Sequence, residues 1–355
     1  MRNSRTPARR QSQAPSRAQS RALLREPSRA RRTLRTGTRA LAATLAAVLL
    51  TPLPATTAQA QPQAQPTSAT CPAVAVVAAR GSEQNENLAP TRYSTDAPWV
   101  SNGYEEENLR AFFQLAEARH RAATGESLMK NVQVIGLDAS VYPADLHVPR
   151  IAEVGEDMTP LETARRIAAL LEHTPASTIV WNATSGFVSS IVRGTAGVST
   201  VMDGYESTTG CHPNYIFLGY SQGAAILQAR ERDTAARTGR LYGALYIGNP
   251  LLAPGDPSLV GDPQFGIGLL GLTATNSLTT TALPTQRRLN YCLRDDFVCD
   301  AGPDSAAKAL AGGGGTHALY FLHDAPTTND AAVLAATDTF RRWVGEVVGQ
   351  AEGQG

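Results

Sequence analysis

The chain has 355 residues, 42% of them hydrophobic and 18% charged, which is enough apolar material to bury one large core and too much for a disordered or fibrous protein. Its formal charge of +1 conceals a division. Of 32 lysines and arginines, 12 arginines lie in residues 1–60 beside a single acid, Glu26, so the remainder sets 20 basic against 30 acidic residues, a net of about −10. That balance gives the rest of the chain no nucleic-acid signature.

The basic head runs into the apolar stretch Ala40–Leu50 and then to Ala58-Gln59-Ala60. A positive region, a short apolar region and an Ala-x-Ala site read as a secretion signal over residues 1–60, with Arg31-Arg32 compatible with twin-arginine as well as general export. A basic tail for anionic partners is the alternative. The apolar stretch is too short to span a bilayer comfortably, and no second one approaches that length, so the expectation is an extracellular protein without stable membrane insertion. Residues 61–70 read as a polar, flexible lead.

Ala73–Ala79 is a continuous apolar run of strand length, the pattern of a strand buried on both faces of a parallel sheet, and it ends at Arg80-Gly81-Ser82. Helical spacing predicts a helix over Tyr104–Arg121, and alternation a strand over Asn131–Leu137. Thr159-Pro160-Leu161-Glu162 is a capping box with proline at the first helical position, opening a helix to about His173. The Ser-, Thr- and Gly-rich region 183–210 reads as helix.

Tyr215–Leu218 is apolar, Gly219-Tyr220-Ser221-Gln222-Gly223 follows, and Ala224–Ala229 starts a helix predicted to reach Thr238. Strand, sharp turn and helix are the setting of a nucleophile elbow, in which glycines on both sides of the serine remove Cβ clashes. Leu241–Ile247 reads as a strand, 251–285 as a long loop whose apolar centre Phe265–Leu270 either packs inward or contacts lipid, with packing preferred, Arg288–Leu293 as the last strand, and Ala331–Val348 as a closing helix. Alternating strands and helices predict one α/β domain over 71–350, a central, mostly parallel sheet flanked by helices.

An even cysteine count in an exported chain favours disulfides. Cys292 and Cys299 bracket a short loop, which leaves Cys71 and Cys211 as a natural pair, with two other connectivities formally open. Closing the span from 71 to 211 is worth roughly 5 kcal/mol, the small ring roughly 2.5 kcal/mol. No histidine or second CxxC accompanies these cysteines at ligand spacing, so no metal is expected.

A serine nucleophile needs a histidine base and an acid, expected in the chain order serine, acid, histidine. Only His317 and His323 follow Ser221, both after the last strand, and His317 is preferred because it follows the flexible run Gly312–Gly315. His120 and His173 read as surface residues, while His147 and His212 precede the serine.

The chain resembles the cutinase family of secreted serine esterases. The matching pieces are Cys71-Pro72 leading into Ala79-Arg80-Gly81-Ser82, Tyr142-Pro143-Ala144, Cys211 ahead of Gly219–Ala224, Cys292 to Cys299 with Asp296 between them, and His317 with Tyr320, together spanning about 71–345. The resemblance implies an α/β-hydrolase fold, Asp296 instead of Asp295 as the acid, and an oxyanion hole from the backbone N–H of Gln222 and from Ser82. It also implies a monomer without metal or organic cofactor, acting on polyester, lipid or acylated-glycan esters. Added length around 83–103, 141–158 and 251–285 departs from compact members and is expected to narrow or partly lid the site. Acyl transfer in place of hydrolysis, and a catalytically silent lipid- or carbohydrate-binding protein on the same fold, are the rival readings.

Overall fold

The computed structural model describes residues 71–272, 281–322 and 330–353; the expected export signal, the polar lead and His323 lie outside them. Six strands, β1 (Val74–Ala79), β2 (Val132–Gly136), β3 (Asn214–Tyr220), β4 (Leu241–Ile247), β5 (Leu259–Gly261) and β6 (Arg288–Cys292), form one open sheet in the order β2-β1-β3-β4-β6-β5. Every neighbouring pair is parallel. β1 and β4 are buried along their whole length, which explains why they read as continuous apolar runs: parallel strands carry helices on both faces.

Successive side chains of each strand enter opposite cores. Val74, Val76, Ile216 and Leu218 meet Phe112 and Phe113 of α1 (Glu106–Thr124) and Phe340 and Trp343 of the closing helix (Ala331–Glu352). Ala75, Val77, Tyr215 and Phe217 meet Val198 and Met202 of α3 (Ala176–Thr209) and Ile226 and Leu227 of α4 (Gln222–Thr238). Each fully buried aromatic ring on these faces stabilises the fold by about 3 kcal/mol.

α2 (Pro160–His173) opens as the capping box requires: Thr159 accepts the Glu162 N–H and Glu162 accepts the Thr159 N–H. No residue of α2 is buried. α3 is longer than the pattern over 183–210 indicates, about 51 Å at 1.5 Å per residue, and its buried positions begin only at Gly186. Its small residues Gly186, Ser190, Gly194 and Gly197 let it lie close against Tyr142, Val141 and Ile226.

Two elements depart from the sequence reading. The 251–285 segment holds β5, a three-residue edge strand too short to show a period, and Pro303–Ala311 folds into α5 inside what reads as a glycine-rich loop. The closing helix is therefore α6. Cys71 is bonded to Cys211 and Cys292 to Cys299, the first bridge tying the entrance of β1 to that of β3. Among the described residues no helix is long and apolar enough to cross a membrane.

Candidate active site

Ser221 sits where β3 turns into α4, with φ 55° and ψ −122°, a left-handed conformation that costs a non-glycine residue about 1–3 kcal/mol and that the surrounding packing enforces. A Cβ on Gly219 would stand 2.6 Å from Ala224 Cα, and one on Gly223 2.0 Å from the Ala79 carbonyl oxygen. Both glycines of the motif are thus required by contact as well as by turn geometry. The Gln222 N–H opens α4 beside Ser221 at the positive end of the helix, while the Ala224 N–H already donates to Ser221 O at 3.0 Å.

His317 stands on a short 3-10 turn (Gly315–Leu319), nearly buried, with Nε2 2.8 Å from Ser221 Oγ. Its Nδ1 lies 2.8 and 2.9 Å from the two oxygens of Asp296. An ionised carboxylate only accepts, so the arrangement assigns the proton to Nδ1 and turns the Nε2 lone pair toward the serine hydroxyl. Asp296 is wholly buried inside the ring closed by Cys292–Cys299, where Oδ1 accepts the Val298 N–H at 2.7 Å and Oδ2 accepts the Tyr320 hydroxyl at 2.7 Å. Asp295 turns outward to Lys308 at 2.5 Å.

Two tyrosines complete the surroundings. Tyr320 holds Asp296 and takes the Leu293 N–H at 2.9 Å; Tyr220 donates to the His317 carbonyl at 2.6 Å and stacks its ring on the imidazole, centroids 5.1 Å apart. Burial first, and the Asp296 charge second, push both phenols well above their ordinary range, so both remain donors. The motif Gly-x-Ser-x-Gly leaves its second position unspecified, so nothing local in the sequence marks Tyr220 as a partner of His317.

Ser82 lies half-buried on the turn after β1, and this turn touches the elbow: a Cβ on Gly81 would meet the Tyr220 ring at 2.7 Å. Arg80, which precedes Gly81, is fully buried, and among the described residues no carboxylate pairs with its guanidinium, which donates to Leu137 O, Tyr142 O and Asn85 Oδ1. Burial pulls its pKa below the usual arginine value. The Tyr142 hydroxyl lies 2.9 Å from both the Arg80 carbonyl and Gln222 Oε1. This network locks the Arg80–Ser82 turn to Gln222, and no short motif announces it because its members are far apart in the chain.

Cys292, Asp296 and Cys299 offer donor atoms within 4.8 Å of one another, but the two sulfurs are bonded to each other and supply no thiolate for a metal. Of the other histidines, His212 pairs with Glu206 at 2.8 Å and His147 stands 3.9 Å from Asp145.

No family model and no curated protein matches this sequence. Among solved structures the chain is similar to an acetylxylan esterase, at 15% identity over 78% of this chain and 100% of that one, with a TM-score of 0.43. It is also similar to a cutinase-like protein from Cryptococcus sp., at 19% identity over 79% of this chain and 98% of that one, TM-score 0.39. A Trichoderma reesei cutinase in complex with a phosphonate inhibitor matches at 15% identity over 79% and 78% of the two chains, TM-score 0.36.

Proposed function

We propose that the protein is a secreted serine esterase that hydrolyses carboxylic esters through an acyl-enzyme. The observation that carries this reading is the unbroken series Ser221 Oγ to His317 Nε2 at 2.8 Å and His317 Nδ1 to Asp296 at 2.8 Å, with the serine on a left-handed elbow at a helix N-terminus. Nucleophile, base and orienting acid are then each in hydrogen-bond reach of the next.

In this reading Ser221 Oγ attacks the ester carbonyl as its proton passes to His317 Nε2, and Asp296 stabilises the imidazolium through Nδ1–H. The backbone N–H of Gln222 and Ser82 receive the oxyanion. The imidazolium returns the proton to the departing alkoxide, and water, deprotonated by the same nitrogen, releases the acid and restores the serine. Two disulfides support folding in an oxidising, extracellular setting. No step calls on a metal or an organic cofactor.

The test is hydrolysis of p-nitrophenyl esters from acetate to palmitate by the disulfide-bonded protein beside Ser221→Ala. Turnover lost by several orders of magnitude in the variant supports the esterase. A folded protein inactive at every chain length would move the reading to a catalytically silent binding protein, and acylated acceptors among the products would mark a transferase.

A further inference from the structure

Two turns that the proposed reaction brings together come from strands that are not neighbours. The Arg80–Ser82 turn follows β1 and the His317 turn follows β6, and β3 and β4 stand between those strands. At about 4.8 Å per strand step the two turns set out about 14 Å apart, so the sheet alone leaves their spacing open. Reacting groups tolerate little misplacement, and each turn is held by contacts outside the sheet.

The peptide units on both sides of Ser82 are pinned. The Arg80–Gly81 peptide is held at its two ends, its carbonyl 2.9 Å from the Tyr142 hydroxyl and its N–H donating to Gln84 Oε1 at 2.8 Å. The Glu83 N–H donates to Ala144 O at 2.7 Å. Between them the Ser82 N–H has no acceptor among the described residues, so it stays open to a ligand while its neighbours are fixed.

From Gln84 the contacts continue to the other turn. Gln84 Nε2 donates to Asn108 Oδ1 at 2.5 Å, and Asn108, buried in the first turn of α1, donates from Nδ2 to Tyr320 O at 2.7 Å and to Ala318 O at 3.3 Å. Those carbonyls belong to the residues one and three places after His317. The direction of both amides is forced. A carbonyl oxygen only accepts, so Nδ2 of Asn108 must face Ala318 and Tyr320, which turns its Oδ1 toward Gln84. Gln84 must then donate from Nε2, which leaves Oε1 for the Gly81 N–H, a group that only donates. Turning either amide over would break its bonds at both ends.

We infer that Gln84 and Asn108 are positioning residues, a side-chain relay through α1 that sets the oxyanion donor Ser82 against the base His317 without passing through Ser221. The inference rests on the esterase reading for the roles of the two turns. Neither residue touches the reacting atoms. Their effect falls on the transition state, in which oxyanion and imidazolium form together and both turns must be in place at once. The relay therefore bears on kcat and leaves KM nearly alone.

Gln84→Met and Asn108→Leu remove the two amides at nearly constant volume, and kcat, KM and Tm are measured with p-nitrophenyl butyrate for the wild type, each single variant and the double variant. Each single change is expected to lower kcat about tenfold with KM within about twofold, and the double variant to be no slower than either, because a series cut once is already open. Independent effects would multiply instead, to about a hundredfold, and would overturn the relay. So would a normal kcat in Gln84→Met, or a kcat that falls only in step with the folded fraction. Gln84 is half-buried on a loop, so its variant decides the matter even where Asn108→Leu fails to fold. Amide hydrogen exchange on Ser221→Ala protein with and without Gln84→Met should then show faster exchange in 315–322 as well as in 81–87, whereas a change confined to 81–87 would overturn the coupling. A wild type that turns over no ester would overturn the esterase reading and the catalytic role with it, while the exchange measurement, made without the nucleophile, still decides whether the two turns are coupled.

Discussion

The Tyr320 hydroxyl donates to Asp296 Oδ2 at 2.7 Å, on the oxygen that also faces His317 Nδ1 at 2.9 Å. The phenol is fully buried, and its own acceptor role is filled by the Leu293 N–H, so it has one direction in which to donate. It fixes the plane of the carboxylate and withdraws part of its charge from the imidazole. In Tyr320→Phe the ring still packs against Tyr291 and Tyr220, while Oδ2 loses a partner in a site closed to water. We expect kcat to fall about tenfold with KM little changed, because a carboxylate that has lost one of its fixed donors orients the imidazole less firmly. The side chains that face the His317–Asp296 pair include Ser221, Tyr220, Phe297, Cys299 and Tyr320. A kcat unchanged in Tyr320→Phe, measured beside an unchanged KM, would show that the hydroxyl serves packing alone.

Gly248 tests the other side of the imidazole. It lies just past β4 with φ 56°, and a Cβ there would stand 2.7 Å from His317 Cε1 and 3.1 Å from Asp296 Oδ2. Gly248→Ala therefore meets both a strained backbone and a displaced ring. The backbone term costs about 1–2 kcal/mol, a few degrees in Tm for a chain of this size. The ring displacement is expected to lower kcat by about a hundredfold, since reacting groups moved by an ångström lose their alignment. Thermal unfolding measured beside single-turnover kinetics checks the split; a large fall in Tm with normal kcat would contradict it.

The two disulfides separate stability from activity in the same way. The bridge from Cys71 to Cys211 closes a loop of sequence separation 140 and joins two strand entrances far from Ser221. Removing it with paired alanines is expected to cost up to about 5 kcal/mol and leave the activity of the folded fraction intact. The Cys292–Cys299 ring, of separation 7, is worth at most about 2.5 kcal/mol but holds Asp296. Its removal should lower activity more than stability, read from denaturant midpoints beside initial rates.

These relationships also show what the sequence makes legible. The elbow is readable because its determinants are local: an apolar strand, two glycines at contact distance from Ala224 and Ala79, and a helix that follows at once. His317 follows from chain order, while the choice of Asp296 over Asp295 needs the family resemblance, since nothing in the sequence alone says that Asp295 turns out to Lys308. β5 and α5 escape because a three-residue edge strand has no measurable period and depends on pairing with β6 across a long connection. The Arg80–Tyr142–Gln222 network and the stacking of Tyr220 on His317 are non-local for the same reason. The exposure of the first part of α3 is hidden by its own composition: a Ser-, Thr- and Gly-rich run with valines shows a helix but not that its buried positions begin only at Gly186.

Asp300 links the insertion at 251–285 to the ring that holds the candidate acid, and pH should report on that link. Its carboxylate accepts the backbone N–H groups of Gln264, Phe265, Gly266 and Asp295 at 2.9, 2.6, 3.1 and 3.2 Å, while its own N–H donates to Asp296 O at 2.7 Å. Burial alone would raise its pKa, but the four N–H groups outweigh burial and the pKa is lowered. A folded-state value below the unfolded one means that the stabilisation is complete above the unfolded value, near 4, and is lost as pH falls through the lower folded value. Asp300→Asn leaves a single accepting oxygen and sets an NH2 against backbone donors, for an expected loss of about 2–3 kcal/mol at pH 7. Denaturant unfolding at pH 7 and pH 3 should show the gap between the two proteins wide at the first and narrowed at the second, because protonation removes from the wild type what the substitution has already removed. A gap that stays constant with pH would mean that Asp300 holds the 264–266 turn by shape and not by charge. Phe265 bears on the same turn: it is half exposed, lays its ring edge over Gly302, and depends on this carboxylate for its backbone position, so its packing should loosen with the same pH dependence.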